Sequence, residues 1–151
     1  PFIHNGWAII HNGTVFKAES LPRDPGLITT SDGSDTEYFF HYLLTKIENA
    51  PPEQAVGRTI ATAVASINTN YSALNCLLSN GRELYAVRQY RQWDDYYTLY
   101  TYTLPGSIVL SSQPVELPQL KPENWRLLSN NRLLEVYDHP LKISRLSIAL
   151  S

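Results

Sequence analysis

Along the chain, apolar residues alternate with polar ones in some stretches and recur every three or four positions in others, and the changes of period mark out elements. Residues 2–4 (FIH) and 7–11 (WAIIH) read as short strands on either side of Asn5-Gly6. Asn-Gly is the pair that most favours a two-residue hairpin turn, because both central positions need positive φ. A second His-Asn-Gly at 11–13 ends the WAIIH strand and runs into TVFKAE with no clean partner strand after it, so it reads either as another turn or as a site. Residues 14–33 are rich in Gly, Pro, Ser and Asp and read as a surface loop. Ser34 followed by Glu37 has the form of a capping box, which places Asp35 in the first turn of a helix. Phe40, Leu43, Leu44 and Ile47 then supply one apolar face. NAPPEQ (49–54) predicts the end of this helix and the start of a second, with proline in its first turn. The second stripe is Val56, Ile60, Ala63, Val64 and Ile67.

From residue 72 the period becomes two. ALNCLLSNGRELYAVRQY reads as a hairpin around Asn80-Gly81, DYYTLYTYT and SIVLSSQ as further strands, WRLLSNNRLLEVYD as a turn at Asn130-Asn131, and LKISRLSIAL as a last strand. Strands, two helices and a run of antiparallel strands predict an α+β domain with helices layered on a sheet. No repeat, low-complexity tract or linker divides residues 1–151, which read as a single domain.

The 151 residues are 43% hydrophobic and 17% charged, enough for one sizeable core. Twelve Lys and Arg against 14 Asp and Glu leave a net charge of −2, with no electrostatic pull toward nucleic acid or an acidic membrane surface. No apolar run reaches the length of a membrane span. The single cysteine has no disulfide partner and no Cys/His cluster has zinc spacing, so a reducing cytoplasm is expected and no metal or cofactor is implied. The chain starts at Pro1 and contains no methionine, which reads as a processed product or part of a longer polypeptide.

Asn12 and Gly13 can offer a side-chain and a backbone N–H to one point, the composition of an oxyanion hole in acyl transfer. Glycine fits where backbone must approach a ligand closely. Asp35 at a helix N-terminus is stabilised by the exposed N–H groups without any ligand, yet it could also receive a substrate ammonium. Nucleophiles are scarce. Cys76 lies in the apolar ALNCLL and reads as a buried, inert thiol, no G-x-S-x-G elbow occurs, and Pro1 would act through its amine only as a true mature terminus. Tyr96, Tyr100 and Tyr102 share a predicted strand face with Thr98, but without a basic groove they read as a half-buried strand rather than a base-stacking surface. His4, His11, His41 and His139 are scattered, and His11 reads as a packing residue beside Asn12.

In combination, PF at 1–2, HNG at 11–13 and SDTE at 34–37 resemble, in order and spacing, the class II glutamine amidotransferases. More softly, LYAVRQY (84–90), IVLSSQPV (108–115) and WRLLSNNRLLEV (125–136) are similar to the later strands of the stand-alone members. The resemblance implies an N-terminal-nucleophile hydrolase-like αββα sandwich of antiparallel sheets, incomplete without an upstream segment. It implies attack on the side-chain amide of glutamine, releasing ammonia and glutamate. By that resemblance Asn12 and Gly13 correspond to the oxyanion-hole pair and Asp35 to the acid that holds the substrate α-amino group. The family's nucleophile, an N-terminal cysteine whose own amine is the base, and the arginine for the substrate carboxylate would lie upstream of Pro1. The expected partners are therefore glutamine or another γ-glutamyl amide and the upstream segment of the same polypeptide, with no nucleic acid and no membrane. A homo-oligomer stays open, as do a hydrolase of another γ-glutamyl amide and a non-catalytic ligand-binding remnant.

Overall fold

The computed structural model describes residues 1–27, 29–30, 33–137 and 140–149. Ile28, Ser31 and Asp32 of the long loop, Asp138 and His139 after the Asn130-Asn131 turn, and Leu150 of the last predicted strand lie outside the described residues. Strands β1 (Phe2–His4) and β2 (Trp7–Asn12) form the expected hairpin, with Phe2 opposite Ile9 and His4 opposite Trp7. Asn5 and Gly6 take φ of 46° and 77°, the doubly positive pair of the type I′ turn.

Helix α1 (Asp35–Glu48) starts where expected: Ser34 Oγ accepts the Glu37 N–H at 3.2 Å. Only that half of the capping box forms. The buried Glu37 carboxylate instead accepts from the N–H and hydroxyl of Thr30, at 3.0 and 2.8 Å, and so ties the preceding loop to the helix. Burial on α1 is wider than the expected stripe and takes in Phe39 and Tyr42 as well as Phe40, Leu43 and Leu44. The extra apolar neighbours are α2 and the loop residues Ala18, Leu21 and Leu27, which join the same core. Helix α2 (Val56–Ala65) buries Ile60, Ala63 and Val64. The prolines 51 and 52 sit in the turn before it rather than in its first turn. A proline at 52 drives residue 51 away from helical φ/ψ, and the first helical bond is from Thr59 N to the Ala55 carbonyl.

The remaining strands are β3 (Asn75–Ser79), β4 (Glu83–Arg88), β5 (Tyr100–Leu104), β6 (Ser107–Ser111), β7 (Arg126–Leu127), β8 (Arg132–Tyr137) and β9 (Lys142–Ser147). The Asn80-Gly81 hairpin forms as expected between β3 and β4. DYYTLYTYT becomes strand only from Tyr100; Tyr96 and Thr98 lie in the loop before it, so the expected shared strand face is confined to Tyr100 and Tyr102. The chain turns at Asn130-Asn131, but the two arms enter different sheets: β7 pairs with β5 and β8 with β4. The result is a six-stranded antiparallel sheet, β1-β2-β3-β4-β8-β9, and a three-stranded one, β6-β5-β7.

Because side chains alternate across a strand, the large sheet presents two apolar faces. Ile9, Cys76, Leu78, Tyr85, Val87 and Leu133 pack with both helices. Leu77, Ala86 and Leu134 pack on the other side against Leu99, Leu110 and Leu128 of the small sheet and its flanks. Two stacked antiparallel sheets and a helical layer are thus present, as the α+β expectation and the family resemblance required. Among the described residues both α-helices lie on the same side, so three of the four layers of an αββα sandwich are seen.

Candidate active site

At the end of β2 the pleat separates neighbouring residues. His11 shares the helix-facing side with Ile9, while Asn12 shares with Ile10 the side facing the small sheet. His11 is half-buried, its ring 5.3 Å from that of Phe39. One ring nitrogen, Nε2, lies 3.2 Å from the Ala73 carbonyl oxygen and the other, Nδ1, 3.0 Å from Thr36 Oγ1. A carbonyl only accepts, so Nε2 carries the proton and Nδ1 accepts from the Thr36 hydroxyl. Burial holds this imidazole below its ordinary pKa, outweighing the Ala73 carbonyl and the Asp35 charge, which act in the opposite direction.

Asp35, the first residue of α1, accepts the Val15 N–H on Oδ2 at 2.8 Å. Two consecutive residues of α1 therefore grip the chain on either side of Asn12-Gly13: Thr36 holds His11 and Asp35 holds Val15. Gly13 itself has φ of 152°, and a Cβ built on it would lie 2.0 Å from the Ala73 oxygen and 2.6 Å from its carbonyl carbon. Those are backbone atoms that cannot swing aside, so no side chain fits here without moving the β2–β3 pairing. Past Gly13 the chain does not reverse. Val15 bridges Tyr71, and Ser72 N donates to the Thr14 carbonyl at 2.9 Å. The second His-Asn-Gly is a break in a continuing ladder, not a turn.

Asn12 opens onto a cleft of about 380 Å³ between the two sheets. Ile10, Leu77, Leu99 and Leu110 give it apolar walls, and Asn12, Asn75, Thr98 and Ser112 line its polar part. A second hollow of about 430 Å³ shares Asn12, Thr98 and Ser112 with it and adds Asp95, Tyr96, Tyr100 and Gln113. The loop that carries Asp95 to Leu99 is pinned by Arg88, 3% exposed, whose guanidinium donates to the carbonyls of Tyr97, Leu128 and Asp94 at 2.9, 2.6 and 2.9 Å. Among the described residues neither the Asn12 carboxamide nor the Gly13 N–H is engaged by a protein acceptor. Such an arrangement can offer hydrogen bonds to a carbonyl oxygen that enters the cleft.

Of the residues singled out from the sequence, Asn12 lines the cleft, Gly13 adjoins it, and Asp35 lies behind the same segment, joined to it through Val15 and lining neither hollow. Cys76 lies across the ladder from His11. It is 3% exposed in the helix-side core, and burial pushes its thiol up to about 12, which leaves it no thiolate character near neutral pH. His4 and His41 lie together elsewhere, ring centroids 6.0 Å apart. Thr36, Ala73, Asn75 and Arg88 were not legible as site residues; only Thr36 had a signal, its place inside SDTE.

The family model for class II glutamine amidotransferases matches residues 1–104. An uncharacterized protein of Methanocaldococcus jannaschii is 36% identical over 85 residues, which is 56% of this chain and 23% of that protein; the chain thus spans about a quarter of the relative it matches. The structure of a glutamine aminotransferase class-II domain protein from Silicibacter pomeroyi superposes with a TM-score of 0.65 at 21% identity, covering 99% of this chain and 71% of that one. Glutamine phosphoribosylpyrophosphate amidotransferase from B. subtilis gives 0.62 at 18% identity, covering 99% of this chain and 31% of the other. At such identities the two superpositions speak for the fold alone: stacked antiparallel sheets with helices packed against them. The sequence match over residues 1–104 takes in His11 to Gly13 and the start of α1, and on it this chain belongs to the class II glutamine amidotransferases.

Proposed function

We propose that this chain carries the oxyanion-binding part of an enzyme that hydrolyses the side-chain amide of glutamine. In this reading a thiol supplied by a segment outside residues 1–151 attacks the amide carbon. Asn12 Nδ2 and the Gly13 N–H stabilise the oxygen as it takes on charge, and ammonia leaves. Water then resolves the acyl-enzyme to glutamate. On the family motif rather than the lining of the cleft, Asp35 is assigned the substrate α-ammonium on Oδ1 while Oδ2 keeps the Val15 N–H. The supporting observation is the restraint on the Asn12-Gly13 segment: it is gripped by Thr36 and Asp35 and pressed against Ala73, so a donor at the cleft needs little reorganisation when charge develops there. Asn12→Ala in the full-length protein is expected to lower glutaminase kcat by about a hundredfold or more while the melting temperature is kept. An unchanged rate overturns the assignment.

A second reading, hydrolysis of a larger γ-glutamyl amide, is favoured by one feature. The hollow lined by Asp95, Tyr96 and Gln113 shares Asn12, Thr98 and Ser112 with the cleft, and such a neighbour offers room for a leaving group larger than ammonia. Comparing kcat/KM for glutamine with that for a panel of γ-glutamyl conjugates decides between the two.

A further inference from the structure

We infer that Asn75 is a positioning residue for Asn12, setting which end of the Asn12 carboxamide faces the cleft. This rests on the reading of Asn12 as an oxyanion donor. Asn12 and Asn75 are Cα partners, the last pair of the β2–β3 ladder. Residues directly opposite on an antiparallel pair point to the same side, with Cβ atoms about 4.5–5.5 Å apart, and here that side is the cleft, which both line. Asn75 is 5% exposed. Its Oδ1 accepts the Gln89 N–H at 3.0 Å, which fixes the amide plane and leaves Nδ2 as the free end. That Nδ2 is fully buried and has no hydrogen-bond partner among the described residues.

The bond to Gln89 needs only an oxygen; the buried NH₂ group does nothing for it. A buried donor without an acceptor is rare and calls for an explanation. Directly opposite on the ladder stands Asn12, a carboxamide whose oxygen and nitrogen trade places by rotation about its last side-chain bond. When Asn75 Nδ2 donates to Asn12 Oδ1, Asn12 Nδ2 is turned away from the ladder and toward the cleft, the orientation an oxyanion requires. The opposite orientation would set two NH₂ groups against each other and present an oxygen to the developing negative charge. Asn75 thus acts through Asn12 and does not itself contact the reacting atoms.

The test is a double-mutant cycle in the full-length protein with glutamine as substrate. Asn75→Asp keeps an oxygen for Gln89 but replaces the donor by an acceptor that attracts Asn12 Nδ2. It is expected to lower kcat about tenfold to a hundredfold with KM for glutamine within about twofold. In the Asn12→Ala background the same substitution should cost nothing further. A merely structural role gives losses that multiply in the double variant. That result, or wild-type turnover in Asn75→Asp, overturns the inference. Thermal unfolding checks that the variants fold, and Asn75→Ala takes the place of Asn75→Asp if the buried carboxylate prevents folding. If the wild-type protein does not turn over glutamine at all, the proposed function falls, and the side-chain NH₂ resonances of Asn12 become the readout. A shift on Asn75→Asp then upholds the contact, and unmoved resonances reject it.

Discussion

Asp35 shows how one carboxylate can be asked to do two things. Its place at the start of α1 is stabilised by the exposed N–H groups of the first turn, by roughly 0.3–1 kcal/mol, and its Oδ2 holds the Val15 N–H. The Val15 bond does not require a negative charge, because an amide oxygen would accept it, and the charge-dependent contribution at the helix end is at most about 1 kcal/mol. A substrate ammonium does require the charge. Asp35→Asn is therefore expected to raise KM for glutamine by tenfold or more with a melting temperature close to wild type. A fall in melting temperature with KM unchanged would reduce Asp35 to a clamp on the Asn12-Gly13 segment. SDTE was visible as a helix start and as a family motif. That its aspartate and threonine straddle Asn12-Gly13 was not, because the contacts join residues 20 and 25 positions apart.

Between strands and loops, Arg88 has the largest reach. It ends β4 on the side facing the small sheet, and its three carbonyl acceptors lie on the loop before β5 and on Leu128 after β7. Hydrogen bonds to a charged group contribute about 1.5–3 kcal/mol each, and an acceptor left buried and empty costs about 1–3 kcal/mol. Arg88→Met should lower the melting temperature markedly and speed amide exchange in residues 94–99, the loop that forms one wall of the cleft. Arg88→Lys should not restore it, since an ammonium cannot match a planar fork of donors. Equal exchange rates in wild type and Arg88→Met would show that the loop is held by other contacts. Local patterning handled the hairpins well, because Asn5-Gly6 supplies two positive φ angles and Gly81, at φ 84°, the one that the β3–β4 turn needs. It misjudged the start of α2 and the stretch before Tyr100, where a proline pair and an aromatic-rich loop have strand- or helix-like composition without the backbone partners.

Taken together, the layers bury two imidazoles that are cheaper to keep neutral. His11 and His41 are both held below the ordinary value of 6.5, burial being the first cause in each. The unfolded chain takes up these protons near pH 6.5 and the folded protein only at lower pH, so below that value the unfolded state binds more protons. The stability these neutral rings provide is complete above pH 6.5 and is lost as pH falls toward their folded values. The melting temperature should accordingly decline between pH 7 and 5, with a shallower decline in His11→Gln. A flat profile for the wild type over that range would contradict a neutral His11 bonded to Ala73 and Thr36.

Local turn chemistry, helix capping and the change of hydrophobic period were enough to establish an α+β chain of antiparallel strands and two helices, because each depends on residues a few positions apart. The family was legible for a similar reason: its motifs are short and fall in order within the first forty residues. The partition of strands between two sheets, the pressing of Gly13 against Ala73 and the placing of Asn75 opposite Asn12 on the ladder came only from the folded molecule. These depend on long-range pairing and on which face of a sheet finds a partner, and no local preference encodes either.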